Sequence, residues 1–152
     1  INNLLGNYGH AIDLNTPVNL KQGNESDMMA AMKTLRSGKA GGIIFYNVNP
    51  VYDCAHKNKF VKAIKNLSLK VSFATSMDET AALCDYVCPD NNYLESWDDA
   101  EPVNGVFSFT QPAINPIFDT RQFQDSLLTW MGNDEAYSDY LEKNWETNYS
   151  PR

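Results

Sequence analysis

The sequence predicts an α/β domain with a mainly parallel sheet, helices on both faces, an added edge strand or ribbon, and C-terminal helices. Three observations carry this. Ile43-Ile44-Phe45-Tyr46 is a continuous apolar run of the kind found in strands covered on both faces, and it is expected to be parallel and central. Val71-Ser72-Phe73-Ala74-Thr75 is a second such run, and Tyr86-Val87-Cys88, stopped by Pro89, is a third. Between the first two, Phe60, Ala63 and Ile64 recur at helical spacing from about His56 to Lys65, with Leu67 beyond. Strands that alternate with helices over short connections are joined by right-handed crossovers, which makes the sheet parallel.

Each element has its own signals. Ile1 to Gly6 reads as the tail of a helix closed by glycine, as in a piece cut from a longer chain. Residues 7–25 are polar and turn-rich, an extended N-terminal loop. Ser26 opens a helix in which Met28, Met32 and Leu35 share a face, and Gly38 stops it. Ser76-Met77-Asp78-Glu79 matches a capping box, which predicts a short helix from Glu79 to Cys84. Beyond Pro89 the carboxylates Glu95, Asp98, Asp99 and Glu101 predict a solvated acidic loop; their spacing is not that of a calcium-binding EF-hand. Asn104-Gly105 marks a turn, and Val106 to Thr110 alternates as a strand with Phe107 and Phe109 on one face. Asp119 and Gln122 resemble a second capping box before a helix burying Phe123, Leu127 and Trp130 or Met131, closed by Gly132. A last helix from Glu135 carries Tyr137, Leu141 and Trp145 at four-residue spacing, and the tail aromatics Trp145 and Tyr149, with the acidic loop, are expected as contact surfaces for sister subunits.

Composition narrows the function. A chain of 152 residues suits one domain, which at this size buries about 68–70% of its extended surface without a metal or disulfide staple. The formal charge of −7 argues against nucleic acid and anionic membranes as partners. No apolar run approaches the roughly 18 residues of a membrane span. Cys54, Cys84 and Cys88 are odd in number and lack a C-x-x-C pair, so buried free thiols are expected rather than a disulfide, cluster or zinc site. Asn24, Asn66 and Asn148 open Asn-x-Ser triplets at the frequency an asparagine-rich chain produces anyway.

Chemistry in an open parallel sheet belongs beyond the carboxyl ends of its strands. Three polar segments are expected to meet there: Asn47 to Pro50, Ser76 to Thr80, and Pro89 to Asn92. Neither G-x-G-x-x-G nor G-x-x-x-x-G-K-[ST] occurs, and Gly41-Gly42 precedes its strand, the wrong end for phosphate. Asp78 and Glu79 would compete with a pyrophosphate for a helix start. His10 and His56 are read as surface residues, no serine sits in a nucleophile elbow, and no catalytic residue or metal ligand is assigned.

A longer pattern goes further. In KVSFATSMDETAALCDYVCPDNNYLESWDDAEP, Glu79-Thr80-Ala81, Asp85, Pro89 and Glu95 fall on D-x-x-x-x-E-T-A-x-x-A-D-x-x-L-P-x-x-x-x-x-E, and Tyr46 to Pro50 falls on a G-x-N-P strand end. Both resemble the molybdopterin oxidoreductase family. YLESWDDAEP, FSFTQPAINPIFDTRQFQDSLLTW and LLGNYGHAIDLNTPVN are similar to one branch, the large iron–sulfur subunit of the bacterial quinol:cytochrome c oxidoreductase called alternative complex III. The resemblance covers about residues 1–132.

It implies a Rossmann-like domain over 1–132, with residues 133–152 as C-terminal helix and tail. It places a pterin–guanine dinucleotide cleft at Asn47, Asn49, Pro50, Ser76, Asp78, Glu79 and Thr80. It also implies iron–sulfur clusters in the rest of the parent subunit, sister subunits of a membrane-bound respiratory complex as partners, and a peripheral place on the periplasmic face of the inner membrane. Asn47, Cys84 and Cys88 depart from the family's glycine, alanine and leucine, and members of the branch keep the fold without the pterin. The leading expectation is therefore a non-catalytic structural domain with a vestigial cleft. The alternatives are a working molybdopterin guanine dinucleotide domain and a stand-alone flavodoxin-like module.

Overall fold

The three predicted strands pair side by side and run the same way. The computed structural model of the protein describes residues 1–20 and 22–149; Ser150, and with it the end of the predicted tail, lies outside the described residues. Strands β1 (Gly42–Tyr46), β2 (Leu69–Phe73) and β3 (Tyr86–Val87) form a parallel sheet in the order β1-β2-β3. Helices α1 (Glu25–Arg36), α2 (Pro50–Asp53) and α3 (Lys57–Ile64) come before and between the first two strands. A two-stranded ribbon, β4 (Asp98–Val103) and β5 (Val106–Thr110), and helices α4 (Phe123–Trp130) and α5 (Tyr137–Asn148) complete the chain.

Alternating side chains give the sheet two apolar faces. Phe45 joins Met32 of α1 and Phe60, Ile64 and Leu67 of the α3 region in one buried cluster, with Met28, Leu35 and Ile43 packed at its margin. This is the helical stripe read from the sequence. On the other face Phe73 meets Phe123 and Trp130 of α4 at ring separations of 4.8 and 5.7 Å, and Tyr46 stacks on Phe123 at 4.0 Å. Helices therefore cover both faces, as a Rossmann-like α/β layering requires. Lys70 fastens β3 to β2: its backbone N–H and its ammonium both donate to Asp85, at 2.8 and 2.9 Å.

Several local expectations are corrected. β2, not β1, is the central strand, and Ile44 of β1 is 46% exposed. The helix expected over Glu79–Cys84 is a single 3-10 turn, Ala81–Leu83. Ser76 does not cap it; Asp78 does, accepting the N–H groups of Thr80 (2.9 Å) and Ala81 (2.7 Å). Asn24, not Ser26, caps α1, and α4 starts without a local cap because Asp90 accepts the Phe123 N–H from 33 residues away. On α4 the buried positions are Ser126 and Leu128, whereas Trp130 and Met131 are exposed. Ile1 to Gly6 is a turn ending in the left-handed Gly6, not a helix.

The expected acidic loop is β4. Its inward positions are Asp99, Glu101 and Val103, half-buried, and it pairs antiparallel with β5 outside the main sheet, so the strand over 106–110 belongs to a ribbon and not to the sheet edge. Trp145 of α5 packs on Phe107 and Phe109 and donates its indole N–H to Asp99 at 2.9 Å. The N-terminal loop is held to the same ribbon, through Asn104 N–H to Pro17 and Asn19 N–H to Pro102. Glu95 is nearly buried: one oxygen closes a capping box with Asn92 and the other accepts the Ile117 N–H at 3.1 Å. The three cysteines are half-buried and free.

Candidate functional site

All three strands end at one edge, and the three polar segments expected there do line it. The first two are joined directly. The Asn49 carboxamide donates to Glu79 at 2.7 Å, while its oxygen accepts the Thr80 hydroxyl, also at 2.7 Å. The same hydroxyl oxygen accepts the Val51 N–H at 3.1 Å, so Thr80, with no exposed surface, ties the two segments together. Pro50 occupies the first turn of α2, where its missing N–H costs nothing. Asn47 has φ 51°, in the left-handed region that asparagine tolerates and glycine favours. The pattern this segment resembles has glycine at that position, the residue that adopts this conformation at least cost.

Two shallow depressions flank Asn47 and Thr75. One, of about 350 Å³, is lined by Asn47, Val48, Asn49, Asp53, Ser76 and Asp78, among others. The other, of about 340 Å³, opens between Tyr46, Asp90, Asn91, Trp97 and Gln124. Sequence reasoning found the loops but not Asp53, Thr75, Trp97 or Gln124. Those come from α2, the segment just after β2, the loop before β4 and the first turn of α4, and only the fold brings them together. Gln122 shows why: its carboxamide pairs with both backbone groups of Trp97, 25 residues away, and no local pattern announces that.

Electrostatics distinguish the two depressions. Beside the first, hydrogen bonding to Asn49 is the main force holding the Glu79 carboxyl below its ordinary range. In the second, burial pushes the Asp90 carboxyl up, opposed by the hydrogen bond from Phe123 N–H. Burial also raises Asp98 and the Tyr46 phenol, and it pushes the nearby Tyr137 phenol to about 12, with the negative charge of Asp99 and Asp98 adding to it.

The residues that the resemblance assigns to a dinucleotide face a ligand with definite chemical demands. A pyrophosphate needs cations or free N–H groups at a helix start. The first depression is lined by Asp53 and Asp78 and by no Lys or Arg. The turn beyond it has three residues, and Asp78 already occupies its N–H groups. Asn49, Asp78, Glu79 and Thr80 satisfy one another; among the described residues only the side chains of Asn47 and Ser76 in this set make no hydrogen bond. The arrangement does not fit an anionic dinucleotide. Among the described residues no group of three His, Cys, Asp or Glu side chains could hold a metal ion, and no helix is long and apolar enough to cross a membrane.

Comparison with known proteins places this geometry. The chain is 32% identical over 115 residues to the menaquinone reductase, molybdopterin-binding-like subunit of Nitratidesulfovibrio vulgaris; the match covers 71% of this chain and 17% of that protein. The chain thus spans about a sixth of that relative's length. The family described as molybdopterin oxidoreductase matches residues 2–124, a stretch that takes in the parallel sheet, both depressions and the ribbon. By that match, this chain belongs to the molybdopterin oxidoreductase family.

Proposed function

We propose that the chain is a structural domain of an iron–sulfur, molybdopterin-oxidoreductase-like subunit that serves respiratory electron transfer from quinol, and that its pterin cleft is vestigial. The observation that carries the second half is the closure of Asn49 on Glu79 and Thr80. The side chains a pterin–guanine dinucleotide would engage are turned on each other, and the rim is acidic. The first half is supported by the similarity to a menaquinone reductase subunit whose own description reads molybdopterin-binding-like. On this reading the iron–sulfur clusters lie elsewhere in the parent subunit. Sister subunits are its partners, it sits as a peripheral subunit on the periplasmic face of the inner membrane, and the domain alone is not catalytic.

The test is nucleotide binding by the purified parent subunit. Ligand binding to the native state raises the melting temperature as RT ln(1 + [L]/Kd). No shift is expected with GDP at millimolar concentration, and no molybdenum by elemental analysis. A rise of several degrees that Asn47→Ala or Ser76→Ala abolishes would overturn the vestigial reading and make this a working cofactor domain.

A further inference from the structure

The charge of the chain is unevenly placed. Residues 28–77 hold eight of the twelve Lys and Arg and, in Asp53, one of the nineteen Asp and Glu; that is a formal +7 within a total of −7, so the remainder carries −14. Helices α1 and α3 pack together, and the surplus shows on α3 and the last turn of α1, the acids Glu25 and Asp27 lying in the opposite, first turn of α1. Lys33 and Arg36 stand in the last turn of α1, Lys59 and Lys62 on α3, and all four are exposed. Two depressions, of about 630 and 610 Å³, meet at Arg36 and Lys59, which line both. Each also has apolar side chains in its lining, Leu35 and Leu67 in one and Met29 and Met32 in the other. Among the described residues the ion pairs are Lys70–Asp85 and Lys143–Glu135, and none engages these four cations. Like charges gathered around one groove repel each other, and a bound anion relieves that.

We propose that the α1/α3 face is a docking site for an acidic segment of another polypeptide, with carboxylates on Arg36 and Lys59 and apolar side chains over Met29 and Leu35. Charge complementarity selects the partner's sign, and the shape of the site selects its form. A narrow segment in the groove lies within a Debye length, about 8 Å at physiological salt, of the cations. A wide anionic sheet such as a bilayer, or a nucleic-acid duplex, would also face the −14 carried by the rest of the chain. A second copy could not dock by the same face, where cations would meet cations, and would have to present a different, acidic one.

The full-length protein is assayed by fluorescence anisotropy with a labelled glutamate–leucine peptide. A lysine–leucine peptide and phosphatidylglycerol vesicles form the other arms. The acidic peptide is expected to bind, to weaken with salt, and to lose at least about tenfold in affinity with R36E/K59E. R36Q/K59Q should give an intermediate loss at an unchanged melting temperature, and K143Q on α5 none. Failure of the acidic peptide to bind, or equal affinity for wild type and R36E/K59E, overturns the proposal. So does vesicle binding that depends on Arg36 and Lys59 without peptide binding, which would assign the face to a membrane.

Discussion

Thr80 is the residue through which the first two strand-end segments communicate. Its hydroxyl donates to Asn49 and accepts from Val51 N–H in a setting with no exposed surface. Thr80→Val keeps the shape and strands both partners, so we predict a loss of about 1–3 kcal/mol by denaturant titration, largely restored by Thr80→Ser. The carboxylates predict a pH profile with opposite limbs. Asp85, held low mainly by hydrogen bonding to Lys70, and Glu79, held low mainly by Asn49, add stability that is present above their ordinary pKa values and lost as pH falls through the lowered ones. Asp90 and Asp98, raised by burial, do the reverse: their increment is full below the ordinary 3.8 and is lost as pH rises through the raised values. Melting curves should therefore show D90N/D98N flattening the decline just above pH 3.8, and D85N flattening the acid limb. Glu95 marks the limit of reading residues one at a time. Placed among Asp98, Asp99 and Glu101 it looks solvated, yet it is almost buried, closes on Asn92 and accepts the N–H of Ile117, 22 residues further along the chain.

At the scale of elements, the close approach of β1 and β2 depends on Gly42. A Cβ there would sit 3.0 Å from the Leu69 carbonyl oxygen and 3.1 Å from the Leu69 Cβ. Gly42→Ala must push the strands apart where they are paired, and we expect it to lower the melting temperature more than Gly41→Ala, whose Cβ would meet nothing. The elements that could be read in the sequence share one property. In α3, β2 and α5 the apolar pattern matches the geometry, so burial at Phe60, Ile64, Phe73 and Leu141 was foreseeable. The misread ones are stabilised from a distance. β4 shows no apolar alternation because its inward positions include Asp99, whose partner is the Trp145 indole 46 residues on. The start of α4 draws its acceptor from Asp90, not from the Asp119 that its own sequence offers.

For the whole molecule, the direction of the sheet and the gathering of three polar segments at its carboxyl edge followed from alternation of strands and helices alone. What occupies that edge did not, because whether Asn49 faces a ligand or Glu79 is decided by side chains 30 residues apart. The strand order β1-β2-β3 has another outcome. Among the described residues the far side of β1 has no partner strand, and Ile44 and Tyr46 stand partly in solvent beside it. A bare ladder of N–H and C=O groups flanked by apolar side chains is adhesive. Produced as these 152 residues alone, the chain should stick to itself through β1, with light scattering that grows on standing. Ile44→Lys should quiet that scattering, since a lysine on a strand margin is how natural sheets keep strangers from joining.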